Sequence, residues 1–150
     1  MNNQNDNYQL LGSRLNMLSA NSGYRTSIDP VLLAASIPVK TGQRILDVGC
    51  GTGAAALCLA TRIPGTIAMG IDCQAPLIVL ANQISSLNGL TSSAKFITCD
   101  LLGPIAYPQP HSFDHVMANP PHLKFGSGNV SPDPLKAAAN MEGTAKLKDW

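Results

Sequence analysis

Residues 44–63 read RILDVGCGTGAAALCLATRI, and this stretch decides the architecture. Arg44 to Gly49 is a short apolar run that ends in a glycine cluster, which reads as a strand. Ala54 to Ile63 reads as a helix stopped by Pro64-Gly65. The pattern then repeats. TIAMGID (66–72) reads as a second strand and APLIVLANQISSLNGL (75–90) as a helix begun at Pro76 and closed by Asn88-Gly89. AKFITCD (94–100) is a third strand and FDHVMAN (113–119) a fourth. Strands alternating with helices predict an α/β fold: a mostly parallel sheet of about four strands with helices on both faces. Strands buried on both faces should be nearly continuous apolar runs, and these are.

Outward from this core, SIDPVLLAASI (27–37) predicts a helix, with Asp29 as its cap and Pro30 in its first turn. YQLLGSRLNMLSANSGYR (8–25) has a broken pattern, and Met1 to Asn7 reads as a polar tail. Residues 1–22 are therefore read as a tail and cap segment, and 23–150 as the domain. Gly103 to Ser112, with three prolines, and FGSGNVSPDP (125–134) read as loops. The chain has 150 residues, 45% hydrophobic and 13% charged, a globular composition with net charge +1. That charge gives no strong field to draw in nucleic acid. Cys50, Cys58, Cys73 and Cys99 form no C-x-x-C pair and are expected as buried, reduced thiols, with no metal site. The polar N-terminus offers no apolar core for a signal peptide, and no apolar run is long enough to span a membrane. A cytoplasmic home follows from these readings.

Gly49, Gly51 and Gly53 sit where the first strand turns into the first helix. Glycine there permits a tight turn and close backbone approach to a ligand. Asp72 ends the second strand about 20 residues later, where an acid can accept hydrogen bonds from ribose hydroxyls. No Lys-Ser/Thr follows the glycines, which argues against a P-loop. The bland alternative is a purely structural turn. The fourth strand closes on Asn119-Pro120-Pro121-His122. At the C-terminal end of a parallel strand, Asn119 faces the ligand crevice. Its carbonyl and that of Pro120 can each accept a hydrogen bond from a planar NH2, while the two prolines hold the turn rigid. Two acceptors localise the nitrogen lone pair, so that it can attack an electrophilic methyl without a strong general base. The alternative is that Asn-Pro-Pro only ends the strand.

DVGCGTG (47–53), with Asp47 leading it and Asp72 after it, resembles the S-adenosylmethionine loop of Rossmann-like methyltransferases. The resemblance implies that Asp47 orients the loop, that the loop backbone cradles the methionine part, and that Asp72 holds the ribose. It also puts Asp100 near the adenine amino group, with a strand-end cap as the alternative role. NPPH (119–122) resembles the N-P-P-[YF] motif of amino-methyltransferases acting on adenine N6, guanine N2 or glutamine nitrogen. Here His122 stands where the usual aromatic would stack on a flat substrate. GYRTSIDPVLLAA (23–35) and ANPPHLKFGSGNVSPDPLKAAAN (118–140) resemble the bacterial small-domain group related to the tRNA(Val) adenine-N6 enzyme. In that group the segment from Tyr24 to Asp29 lies over the cofactor, which adds Arg25 and Asp29 as site residues. The implied catalytic set is Asn119, Pro120, Pro121 and His122, acting on RNA, with tRNA as the expected partner. Only Arg62 and Lys95 are basic between Ile45 and Leu123, and Lys124, Lys136, Lys146 and Lys148 would form a weak basic lip.

Other readings stay open: a protein-glutamine or rRNA-guanine methyltransferase, or a non-catalytic or partner-completed domain. His122 and the early end of the chain favour the last. The resemblance implies seven strands in the order 3-2-1-4-5-7-6, and four are counted here. The expectation is a chain cut short at its C-terminus, with MEGTAKLKDW (141–150) opening a further helix and the fourth strand an exposed edge open to self-association.

Overall fold

The computed structural model describes residues 7–19, 26–104, 109, 111–121 and 144–150. Its centre is a four-stranded sheet of β3 (Arg44–Val48), β4 (Ile67–Asp72), β5 (Ala94–Thr98) and β6 (His115–Ala118), in the order β5-β4-β3-β6. Every pairing is parallel, with Ile45 opposite both Ala68 and His115, and Ala68 opposite Ala94. Counted from β3, this is 3-2-1-4, the first four places of the order that the resemblance implies. The parallel α/β architecture is thus present as expected, but the described helices lie on one face of the sheet rather than on both, since the helix Asp29–Ser36 packs on the helix Ala54–Arg62 and not on the opposite face. A separate antiparallel hairpin joins β1 (Tyr8–Leu10) to β2 (Leu15–Met17).

Among the described residues three α-helices accompany the sheet: α1 (Asp29–Ser36), α2 (Ala54–Arg62) and α3 (Ala75–Leu87). The β3–α2–β4 and β4–α3–β5 crossovers step in the same direction across the sheet, and right-handed crossovers then put α2 and α3 on one face. Ile45, Ala68, Ala94, Phe96 and Met117 point to that face and share a core cluster with α2 and α3. Leu46, Val48, Met69, Ile71 and Val116 alternate to the other face, where Val116 is 62% exposed. All seven residues from Ala54 to Ala60 are buried, because α2 lies between the sheet, α1 and β2. The small side chains of AAALCLA let those layers close in on it.

The structure corrects several local expectations. Asp29 is the first residue of α1 rather than its cap. Ile28 occupies the N-cap without a side-chain bond, and Asp29 Oδ2 accepts the Ser27 hydroxyl at 3.0 Å. The carboxylate remains favourable in a first helical turn. Cys50 and Cys58 are buried, but Cys73 is exposed and Cys99 half-buried, because both lie just past the ends of their strands. The segment read as patternless holds the β1–β2 hairpin, turned through Leu11, Gly12 and Ser13 at φ 54, 61 and 68°. Leu15 and Met17 are fully buried. Near the C-terminus the described residues form only a 3₁₀ turn, Leu147–Asp149. The tail from Met1 to Asp6, the 125–134 loop and most of the stretch around residues 105–110 lie outside the described residues.

Candidate cofactor and active site

The loop between β3 and α2 carries Gly49, Gly51 and Gly53 at φ 68, 55 and 77°, the left-handed region. Gly53 is irreplaceable twice over, since a Cβ there would also lie 2.5 Å from the Phe96 ring. At Gly49 a Cβ would run into the Trp150 indole. The loop is docked on the next strand by the backbone N–H of Cys50, which donates to the Ile71 carbonyl at 3.0 Å.

Asp72 completes that docking. Its Oδ2 accepts the Gly51 N–H and its Oδ1 the Gln74 N–H, each at 2.9 Å, and the residue is 8% exposed. A carboxylate offers about four acceptor positions. Two bonds to backbone therefore leave each oxygen capacity for a ligand hydroxyl. Asp47, 3% exposed, uses Oδ2 to accept the Ala56 N–H at 3.3 Å. Ala56 is the third residue of α2, whose N–H has no partner inside the helix, so Asp47 caps α2 from the strand. Burial pushes the Asp47 carboxyl up from 3.8 to about 7. The Ala56 N–H opposes this shift and the Asp72 charge adds to it. Cys50, within the loop, has its thiol raised well above the ordinary range, chiefly by burial.

Asn119 follows β6 directly and is exposed, while Pro120 and Pro121 are half-buried. Val48 pairs with Ala118, so the next residues in register, Gly49 and Asn119, begin their two loops side by side. One cavity of about 310 Å³ collects the candidates: Asp47, Gly49, Gly51, Asp72, Asp100, Asn119, Pro120 and Pro121, with Asp29 on its rim. Gly53 does not line it and supports the loop from below. Asp100 is a turn cap that also faces the cavity, its Oδ1 accepting the Leu102 N–H at 2.9 Å. Arg25, His122, Lys124 and Lys136 lie outside the described residues, while Lys146 and Lys148 are exposed.

Sequence reasoning singled out none of six further contributors, although the resemblance placed the Tyr24–Asp29 segment over the cofactor. Thr26 and Ser27 wall the cavity beside Asp29, and Trp150 lines it above Gly49. Cys73 and Cys99 sit at its edge. Gly70, inside β4, leaves room for Phe96 and Cys50, since a Cβ there would lie 2.7 Å from the Cys50 sulfur. A glycine in a strand interior is the signal that would have found this close approach.

A parallel sheet, a glycine loop after its first strand and an acid closing the second define the nucleoside-cofactor class of α/β domain. Residues 23–140 match the methyltransferase small domain family, and the chain belongs to it. A tRNA1(Val) (adenine(37)-N6)-methyltransferase of Vibrio campbellii is 30% identical over 123 residues, covering 82% of this chain and 49% of the relative. The chain thus spans about half the length of that relative. A protein of the same description from Yersinia pestis (strain Pestoides F) is 34% identical over 102 residues, covering 66% of this chain and 40% of the relative. Among solved structures, an S-adenosyl-L-methionine-dependent methyltransferase from Thiobacillus denitrificans, in complex with S-adenosyl-L-homocysteine, superposes with TM-score 0.54. It is 24% identical, covering 66% of this chain and 40% of that one. The [4+2]-cyclase SpnF superposes with TM-score 0.51 at 31% identity, covering 58% of this chain and 31% of that one.

Proposed function

We propose that this domain binds S-adenosylmethionine and directs methyl transfer to a planar amino nitrogen, adenine N6 of a tRNA. One observation carries the reading: Asp72 and Asn119-Pro120 line the same cavity, with the glycine loop between them. The residues fit the cofactor, because the cavity offers a buried carboxylate with unused lone pairs beside a loop whose backbone is bare at Gly49 and Gly51. When bound, S-adenosylmethionine supplies an electrophilic methyl on a positively charged sulfur. Asp72 accepts hydrogen bonds from the ribose hydroxyls, and Asp100 takes the adenine end. Asn119 and the Pro120 carbonyl accept from the substrate NH2, drawing its lone pair out of conjugation, and the proline pair fixes both acceptors before substrate arrives. The tRNA substrate rests on the two adenine-N6 methyltransferase relatives. No helix among the described residues is long and apolar enough to cross a membrane.

Calorimetry with S-adenosylhomocysteine tests the cofactor, and labelled methyl transfer to unmodified tRNA, ribosomal RNA and protein tests the acceptor. Asp72→Ala should weaken binding by about 2–3 kcal/mol, the scale of hydrogen bonds to a charged group. Equal binding by wild type and variant would remove Asp72 from the site. Label in ribosomal RNA or protein alone would reassign the acceptor.

A further inference from the structure

We infer that Tyr8, on a hairpin that precedes the family-matching residues 23–140, is a positioning residue for the cavity. Its hydroxyl makes two bonds to one residue across 18 positions of chain. It donates to Thr26 Oγ1 at 2.7 Å and accepts the Thr26 N–H at 3.1 Å. Thr26 and Ser27 form the wall of the cavity ahead of α1, and Asp29 continues it. That wall belongs to no strand, and the N-cap of α1, Ile28, makes no side-chain bond, so the wall needs fixing from outside. Among the described residues its other side-chain bond is local, from Ser27 to Asp29.

Tyr8 can fix the wall because it is itself anchored. It pairs with Met17, which is fully buried. Between Met17 and Leu15, Asn16 is clamped to the end of α3. Its N–H donates to Asn88 Oδ1 at 2.8 Å, and Asn88 Nδ2 donates to the Asn16 carbonyl at 2.7 Å. The side-chain amide of Asn88 thus acts as one rung of a third strand. The path runs from the core through β2 and β1 to one phenol, and from there to the cavity wall. A phenol suits the task because a single oxygen both donates and accepts.

The part of this inference that concerns ligand affinity rests on the cofactor reading above, and the experiment separates the two. Tyr8→Phe keeps the ring and deletes both bonds. Hydrogen exchange at the Thr26 amide should accelerate about tenfold in Tyr8→Phe while amides of α2 and β4 keep their protection, the scale of one modest hydrogen bond. The affinity for S-adenosylhomocysteine should fall several-fold with the melting temperature little changed. Thr26→Val should weaken binding too, and the double variant should be no worse than the worse single one. Unchanged Thr26 exchange in Tyr8→Phe would overturn the inference, and so would additive losses. If wild type does not bind S-adenosylhomocysteine, the cofactor reading fails and the Thr26 amide alone decides for or against Tyr8.

Discussion

Asp47 and Asp72 lie close enough for the charge of one to be felt by the other, yet they have different work. Asp72 bonds the glycine loop to β4, and Asp47 holds the start of α2. Asp47 carries a cost that can be read against pH. Its carboxyl is pushed up from 3.8 to about 7, mainly by burial. Between those values the folded chain keeps a proton that the unfolded chain has lost. Its contribution is therefore present at about pH 4 and is lost as pH rises toward 7, by a few kcal/mol at about 1.4 kcal/mol per unit. Asp47→Asn cannot ionise, so its urea midpoint should fall less than that of wild type between pH 5 and pH 8. Parallel profiles would show that Asp47 ionises in the fold as easily as in water. Asn119 calls for the opposite outcome. It is exposed and ends a strand, so Asn119→Ala should leave melting and cofactor affinity nearly unchanged. Turnover should fall by about two orders of magnitude, the effect of removing one key transition-state hydrogen bond. Turnover within a few-fold of wild type would remove it from the chemistry.

At the scale of elements, one side chain joins α1 to α2. The Arg62 guanidinium donates to the carbonyls of Ala34 at 2.7 Å and Ile37 at 3.0 Å, among the last carbonyls of α1, which the helix cannot satisfy itself. Because α1 also carries Asp29 at the cavity rim, this pin bears on the site. Arg62→Ala should cost about 1–3 kcal/mol, since buried carbonyls lose a charged donor. Hydrogen exchange should quicken in α1 before α2. A uniform change across both helices would mean that α1 is held by its apolar face alone. The sequence shows α1 as a helix but not this pin, because a basic residue in the last turn of α2 reads equally well as a complement to that helix's own dipole. Longer elements were legible for a plain reason. β3, α2, β4 and α3 each carry enough consecutive apolar positions, punctuated by Gly or Pro, to set a period. The three-residue strands β1 and β2 carry too few to distinguish alternation from accident, and their burial depends on distant α2 and α3.

Across the whole molecule, the legible part of the site is what sits at strand ends. Gly49, Asp72, Asp100 and Asn119 all fall at the C-terminal edge of one parallel sheet, so the order of the strands alone brings them together. What residue pattern alone hides is supplied from remote segments: Thr26 and Ser27 before α1, in a segment that only the family resemblance placed at the site, and Trp150 some 100 residues beyond Gly49. No local pattern marks such contacts, because they depend on how loops pack rather than on period. Trp150 turns this into a measurement. It is the single tryptophan of the chain and lines the cavity with its indole against Gly49, one register step from Asn119. Emission from the folded protein should therefore change when S-adenosylhomocysteine is added, with a midpoint equal to the calorimetric one. Gly49→Ala should shift the emission without any ligand, because a Cβ at that positive φ both strains the turn and displaces the ring. Thr61→Val, distant in the chain and not among the cavity's walls, should leave the emission as in wild type. If saturating ligand and Gly49→Ala both leave the spectrum unmoved, the indole does not rest on the glycine loop in solution, and the cavity is closed on that side by something else.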